Sequence, residues 1–242
     1  MKLSRQMRGV IKMFYDETQA IKACEEESSL IFDLIKEKHF QTVDILLSKK
    51  KVDINTCDDA GDDVLTKLLK AGQYNLVLKH MKNKEWKVNR QNNNGDTFAH
   101  ALVSISNIKI MDIIKQLLKN KDFIPNIKNN YGETILDKSI NENYIYSTVK
   151  IIEDERFNSI DIASFKKIYD TYIKTNNYGM YSKLNTIQII VENLEDRPLA
   201  PRMSKLIKAI KENFDNIKED LFENNTNEIE NIINSVLLES NV

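Results

Sequence analysis

The sequence predicts an all-α chain of stacked helical repeats, and three observations carry that prediction. A glycine turn followed by a helix start recurs, with Gly61, Gly95 and Gly132 standing 34 and 37 residues apart, a period expected of stacked helical units. Six glycines and three prolines in 242 residues are few for such a length, which fits helices joined by short turns. Beyond the last copy, helical spacing continues: Ile207, Ile210, Phe214, Ile217 and Leu221 follow at steps of three and four, the stripe of an amphipathic helix.

The middle copy is the clearest. Asn92-Asn93-Asn94-Gly95 is a turn signal, Thr97 can cap a helix, and Phe98, His100 and Leu102 follow. The copy before it carries Asp58, Gly61, Asp63, Leu65 and Leu68 at the matching offsets, and the copy after it Asn129, Gly132, Thr134, Leu136 and Ser139. Asp63 stands where the others have Thr, and it is an equally good acceptor for first-turn amides.

These helix starts, Asp63-Val64-Leu65-Thr66-Lys67-Leu68, Thr97-Phe98-Ala99-His100-Ala101-Leu102 and Thr134-Ile135-Leu136-Asp137-Lys138-Ser139, resemble the T-P-L-H-x-A signature of the ankyrin repeat. Proline is absent from each, and histidine is kept only at His100. The resemblance implies an ankyrin-repeat solenoid of helix-turn-helix units with β-hairpin-like turns, capped by C-terminal helices.

In chain order, residues 1–28 are expected to form a capping helix over the open end of the array, because a terminal repeat needs a lid with a polar outside. Lys2, Arg5, Arg8 and Lys12 leave a membrane-surface helix as the alternative there. Repeats are expected over 29–157, as 29–54, 55–88, 89–125 and 126–157. In the first, Glu27 takes the place of the turn glycine and Val52-Asp53-Ile54-Asn55 forms the exit. In the second, Gly72 separates two helices, and Leu76, Val77 and Met81 line the second. The third is expected to carry its three extra residues as an extension of a second helix over Ile108–Asn120. The fourth begins at Asn129-Asn130-Tyr131-Gly132.

After Phe157 the signature stops and the periodicity persists. Phe165, Ile168, Tyr169 and Tyr172 share one face; Leu184, Ile187, Ile190, Val191 and Leu194 share another, with a turn at Asn176–Gly179 between them. Residues 158–197 are therefore a degenerate fifth repeat or cap helices. Pro198 and Pro201 interrupt the chain, and 198–242 are expected to fold as a helical hairpin whose second stripe is Ile229, Ile232, Ile233, Val236 and Leu237.

Net charge is −1, from 35 Lys and Arg against 36 Asp and Glu, so no basic excess exists to neutralise phosphates and no nucleic acid is expected as partner. Nothing resembles a signal peptide or an 18-residue apolar span, which gives the expectation of a cytoplasmic chain without membrane partners. Cys24 and Cys57 have no metal-ligand spacing to His39, His80 or His100 and are expected as reduced thiols. Asp58-Asp59-Ala60-Gly61-Asp62-Asp63 has the composition of a calcium loop without its alternating ligands or terminal glutamate, so no metal is expected. No phosphate loop, nucleophile elbow or zinc motif occurs; no catalytic residue and no cofactor are expected. The resemblance gives His100 a structural task, tying adjacent turns, and Trp86 is read as covering the core.

The resemblance further implies a non-enzymatic protein–protein interaction module, an intracellular scaffold or adaptor that meets a protein partner at its turn tips and concave face. Carried over by position, the tips are Asp59, Ala60 and Asp62; Asn93, Asn94 and Asp96; and Asn130, Tyr131 and Glu133. These positions are expected to be free of duties in the fold, with Tyr131 as the anchor. The alternatives are a regulator or enzyme whose active part is the C-terminal helical region, and a homodimer built through 203–240.

Overall fold

The computed structural model describes residues 17–238, apart from 106, 108, 158, 159, 176, 177, 196 and 198. The basic stretch 1–16, the middle of the turn expected at Asn176–Gly179, and Pro198 thus lie outside the described residues. Within them the chain is all-helical. It has no strand, only isolated antiparallel bridges at Cys57–Asp63 and Gln91–Thr97. No described helix is long and apolar enough to cross a membrane. The contacts divide the chain at Gly132–Glu133, so the turn of the fourth expected repeat belongs to the first unit and its helices to the second.

The first unit opens with α1 (Glu17–Glu26), which packs on the pair α2 (Leu30–Lys36) and α3 (Phe40–Ser48). Two further pairs follow, α4 (Val64–Lys70) with α5 (Tyr74–His80) and α6 (Phe98–Val103) with α7 (Ile110–Leu118). First helices pack on first helices, α2 on α4 on α6, and second helices on second helices, α3 on α5 on α7. The apolar spacing explains why: Leu65, Leu68 and Leu69 of α4 and Leu102 and Val103 of α6 are buried, as are Ile113, Ile114 and Leu117 of α7. A helix of seven residues such as α4 is far below the roughly 12–15 residues that hold together alone in water. Stacking of its apolar face is what keeps it folded.

Sharp reversals inside the pairs come from left-handed residues. Lys38 and Gly72 have φ of 65° and 73°, and each is followed by an amide that bonds back across the helix end, His39 N to Leu34 O and Gln73 N to Leu68 O. These are Schellman closures, which satisfy the last carbonyls of the helix. In the third pair the connection is different. Residues 104–109 join α6 to α7, where 71–73 suffice between α4 and α5. The extra length expected as an extension at the end of the second helix thus lies mainly in this connection, and α7 itself spans only Ile110–Leu118.

The exits of the first two pairs are held by asparagine. Asn55 donates its amide to Glu85 O at 2.8 Å and accepts from Lys87 N at 2.8 Å. Asn89 repeats the arrangement, donating to Asp122 O at 2.6 Å and accepting from Ile124 N at 2.8 Å. One side chain thus closes two backbone groups of the following exit.

The second unit begins with the pair α8 (Ile135–Asn141) and α9 (Ile145–Ile152), reversed at Asn143 with φ 61°. Then come α10 (Ile162–Ile168), a π-helical turn (Tyr169–Ile173) and the long α11 (Met180–Leu194); α8 packs on α10 and α9 on α11. The expected face of Phe165, Ile168, Tyr169 and Tyr172 is buried, and Ile173 joins it through the π turn. Buried Tyr172 bonds through its hydroxyl to Thr148 Oγ1 at 2.9 Å and Ser139 O at 3.2 Å.

The last segment differs from the expected hairpin. The first stripe is split into α12 (Pro201–Glu212) and α13 (Phe214–Phe222), and α14 (Asn227–Leu238) packs on both. Asn213 is the cause: its φ of −109° leaves helical geometry, and its side-chain amide donates to Ala209 O at 2.8 Å. Pro201 starts α12 at the first helical position, where a missing N–H costs nothing. Both stripes are buried within the chain at Leu206, Ile207, Ile210, Ile217, Leu221, Ile229, Ile233 and Val236.

Asn55→Ala strands two backbone groups and is expected to cost about 1–3 kcal/mol in urea unfolding. Lys84→Ala, exposed on the same stretch, is expected to stay within about 0.5 kcal/mol.

Candidate functional site

The turns that precede α4, α6 and α8 share one construction. The oxygen of Asp58 Oδ1 accepts from Ala60 N and Asp62 N, both at 3.0 Å. Asn92 Oδ1 accepts from Asn94 N at 2.9 Å and Asp96 N at 3.0 Å, and Asn129 Oδ1 from Tyr131 N at 3.0 Å. An acceptor that bonds its own backbone two residues on is the device by which Asp and Asn stabilise turns.

In the first unit these turns are bound to one another. Asn93 N donates to Ala60 O at 3.0 Å and Asn93 Nδ2 to Asp59 O at 2.9 Å. One turn further, Asn130 N donates to Asn94 O at 3.0 Å and Asn130 Nδ2 to Asn93 O at 3.0 Å. Behind this row runs another, in which Asn92 Nδ2 donates to Asp62 Oδ1 at 2.8 Å and Asn129 Nδ2 to Asp96 Oδ1 at 2.9 Å. Gly61 and Gly95 stand close against the following turn. A Cβ on Gly61 would stand 3.0 Å from Asn93 N, and one on Gly95 would stand 2.7 Å from Asn130 N.

This ladder corrects the expectation that all the tip positions are free of structural work. Asp62 is buried, pairs with Lys70 and holds Asn92; Asp96 holds Asn129. Asn93 and Asn130 are the rungs. In the second unit Glu133 accepts from Asn141 Nδ2 at 2.6 Å. The remaining tips present side chains to solvent: Asp59, Ala60 and Asn94 are exposed, and Tyr131 is 75% exposed.

The acidic run 58–63 is dispersed among separate tasks. Asp58 pairs with Lys67 at 2.8 Å. Burial pushes its carboxyl up, but the Lys67 bond and the two turn amides outweigh that and hold it below the usual carboxylate range. Asp63 caps α4, accepting from Thr66 N at 2.7 Å, and its other oxygen accepts from Trp86 Nε1 at 2.8 Å. Burial pushes the Asp63 carboxyl up in spite of those bonds. Trp86 is buried and meets Phe98 edge to face at 5.0 Å, so the indole belongs to the core. Among the described residues, no group of three or more His, Cys, Asp or Glu converges on a common point.

His100 is fully buried, and Thr97 N donates to its Nδ1 at 3.1 Å. Nδ1 is therefore an acceptor, and a neutral ring carries its proton on Nε2. In α8 the same job falls to Asp137, which accepts from Thr134 N at 3.0 Å. Burial, with a smaller push from Asp33, drives the Cys24 thiol up to about 12, and Cys57 is also a free thiol.

One cluster escaped the sequence reading. Asp44 of α3 accepts from Lys79 Nζ at 2.7 Å and meets buried His80 Nε2 at 2.7 Å. Burial raises the Asp44 carboxyl, but hydrogen bonds and charge from Lys79 and His80 more than offset it and hold it low. His80 has no acidic neighbour in sequence. Only the stacking of α5 on α3 brings one, and no local signal marks it. In the second unit, Asp154 is raised by burial but lowered further by Arg156, and Glu230 is lowered by its bond from Lys174. Neither is the raised carboxyl that a general acid needs. Lys183, buried on α11 with its ammonium pushed down by desolvation, was likewise unforeseen.

No protein-family model matches the chain, and no curated protein does so either.

Two outcomes are expected. Gly95 and Gly132 have similar φ, 73° and 77°, but only Gly95 faces the next turn. Gly95→Ala should therefore cost more than Gly132→Ala by about 1–3 kcal/mol in denaturant unfolding. Asp44→Ala should destabilise by about 1–3 kcal/mol at pH 7 by stranding the His80 ring nitrogen. Because the folded carboxyl titrates low, the part due to its charge is complete above the unfolded value of about 3.9. It fades as pH falls through the lower folded value. The gap between wild type and variant should narrow in that acid window.

Proposed function

We propose that the chain is an ankyrin-like repeat scaffold, non-enzymatic and intracellular, that recognises a protein partner through its turn tips. The observation that carries this reading is the division of labour in the ladder. The backbones of the turns and the side chains of Asn93 and Asn130 are tied, while Asp59, Ala60, Asn94 and Tyr131 point outward on them with no side-chain bond of their own among the described residues. Ordering those backbones in advance lowers the entropy cost of binding. A tyrosine on a rigid turn supplies amphipathic contact area with few rotatable bonds, and Asp59 and Asn94 suit a partner offering cationic or amide donors. The alternative of an active C-terminal region has less support, since the displaced carboxyls there are held ionised by cations. The burial of both final stripes within one chain favours a capped monomer over a dimer through 203–240.

Affinity capture from lysate of the source cell, comparing wild type with a Tyr131→Ala, Asp59→Ala, Asn94→Ala triple variant, tests the proposal. At least one protein should be retained only by wild type, with the variant's unfolding free energy within about 0.5 kcal/mol of wild type. Identical retention by both, at intact stability, would contradict it.

A further inference from the structure

The second unit contains a cavity of about 410 Å³ between α10, the start of α12 and the last turn of α14. Its size falls within the range of about 300–1,000 Å³ typical of small-molecule sites. Ile162, Met203 and Leu237 give it an apolar floor, with exposed Ala163 at its edge. Three charged side chains also line it, and their commitments differ. Asp161 is engaged, its Oδ1 accepting from Ser164 N at 2.8 Å to cap α10. Lys166 holds Asp170 at 3.1 Å, but both are half exposed and one helical turn apart, a pairing that contributes little and exchanges readily. Arg202 is exposed and makes neither a hydrogen bond nor an ion pair with another described residue. An open apolar hollow is therefore edged by two cations against the one carboxylate of Asp161, with Arg202 unpaired among the described residues and Lys166 weakly held.

We propose that this cavity binds a free aliphatic monocarboxylate, a medium-chain fatty acid or a molecule of that shape. The guanidinium of Arg202 presents the planar fork that matches a carboxylate with two parallel hydrogen bonds. Lys166 adds charge at the same rim, and the alkyl chain lies against Met203 and Leu237, where removing its methylenes from water favours binding. The site is independent of the turn tips and belongs wholly to the second unit.

Isothermal titration of the full chain with decanoate, kept below its micelle concentration, tests the proposal beside decanol and acetate. Decanoate should bind one to one, with decanol and acetate each weaker by about tenfold or more, the loss of one charged or one apolar contribution. Ala163 is exposed, so Ala163→Trp can fill the cavity and should abolish binding. Arg202→Glu should weaken decanoate by about tenfold or more and leave decanol unchanged, with the thermal melt of the protein unaltered. Should Ala163→Trp fail to fold, the Arg202 variant decides alone. Absence of decanoate binding, decanol binding as tightly as decanoate, or decanoate indifferent to Arg202→Glu would overturn the assignment.

Discussion

The bond from one turn to the next, through the amide and side chain of Asn93 and again of Asn130, is the constraint on which the rest of the first unit depends. Each rung joins backbone groups that would otherwise face water, so a single one contributes only about 0.5–1.5 kcal/mol. Its importance is geometric. Two donors of one residue meeting the carbonyls of two consecutive residues, Asp59 and Ala60 or Asn93 and Asn94, fix the separation and orientation of neighbouring turns. The helix that follows each turn inherits that registration. Glycine at 61 and 95 is the complement of the same contact, since a methyl group there would stand inside the next turn.

Two further devices act on the same register. Asn55 and Asn89 bind the exits of the following pairs from the opposite end, so the second and third pairs are each pinned at the turn and again where they leave their second helix. Asp63 then connects the turn to the core. It caps α4 with one oxygen and holds the Trp86 indole with the other, and Trp86 in turn meets Phe98 of the next pair. Short helices that could not persist singly thus become stable through neighbours, which is the energetic logic of a one-dimensional stack. The second unit relies on hydroxyl bonds instead, with Tyr172 tied to Thr148 and Ser139 and Tyr169 to Thr226.

Much of this was legible because it is periodic. The spacing of Gly61, Gly95 and Gly132, the caps Asp63, Thr97 and Thr134, and the stripes at Ile113, Ile187 and Ile233 are local patterns that burial enforces at fixed intervals. What stayed hidden depends on distance in sequence. Asp44 and His80 are 36 residues apart, and nothing near either marks the pair. Polarity alone could not separate Asp62, buried beneath the next turn, from Asp59, exposed beside it, because both read as acidic turn residues. The break at Asn213 interrupts an apolar rhythm that runs through it unchanged; a backbone deviation of one residue leaves the side-chain stripe in phase.

The division between rungs and free tips gives the proposed recognition role its physical content, since rigid turns can carry variable side chains only if something else holds them. Residue-resolved amide hydrogen exchange of the native chain tests that division most directly. The amides of Asn93 and Asn130 lie in exposed turns, and the ladder requires them to be protected by orders of magnitude relative to an unstructured chain. Slow exchange at both, comparable to the amides of the flanking helices, is the expected result. Exchange at the unstructured rate would mean that the turns are not bound to one another, and the account built on their registration would fail.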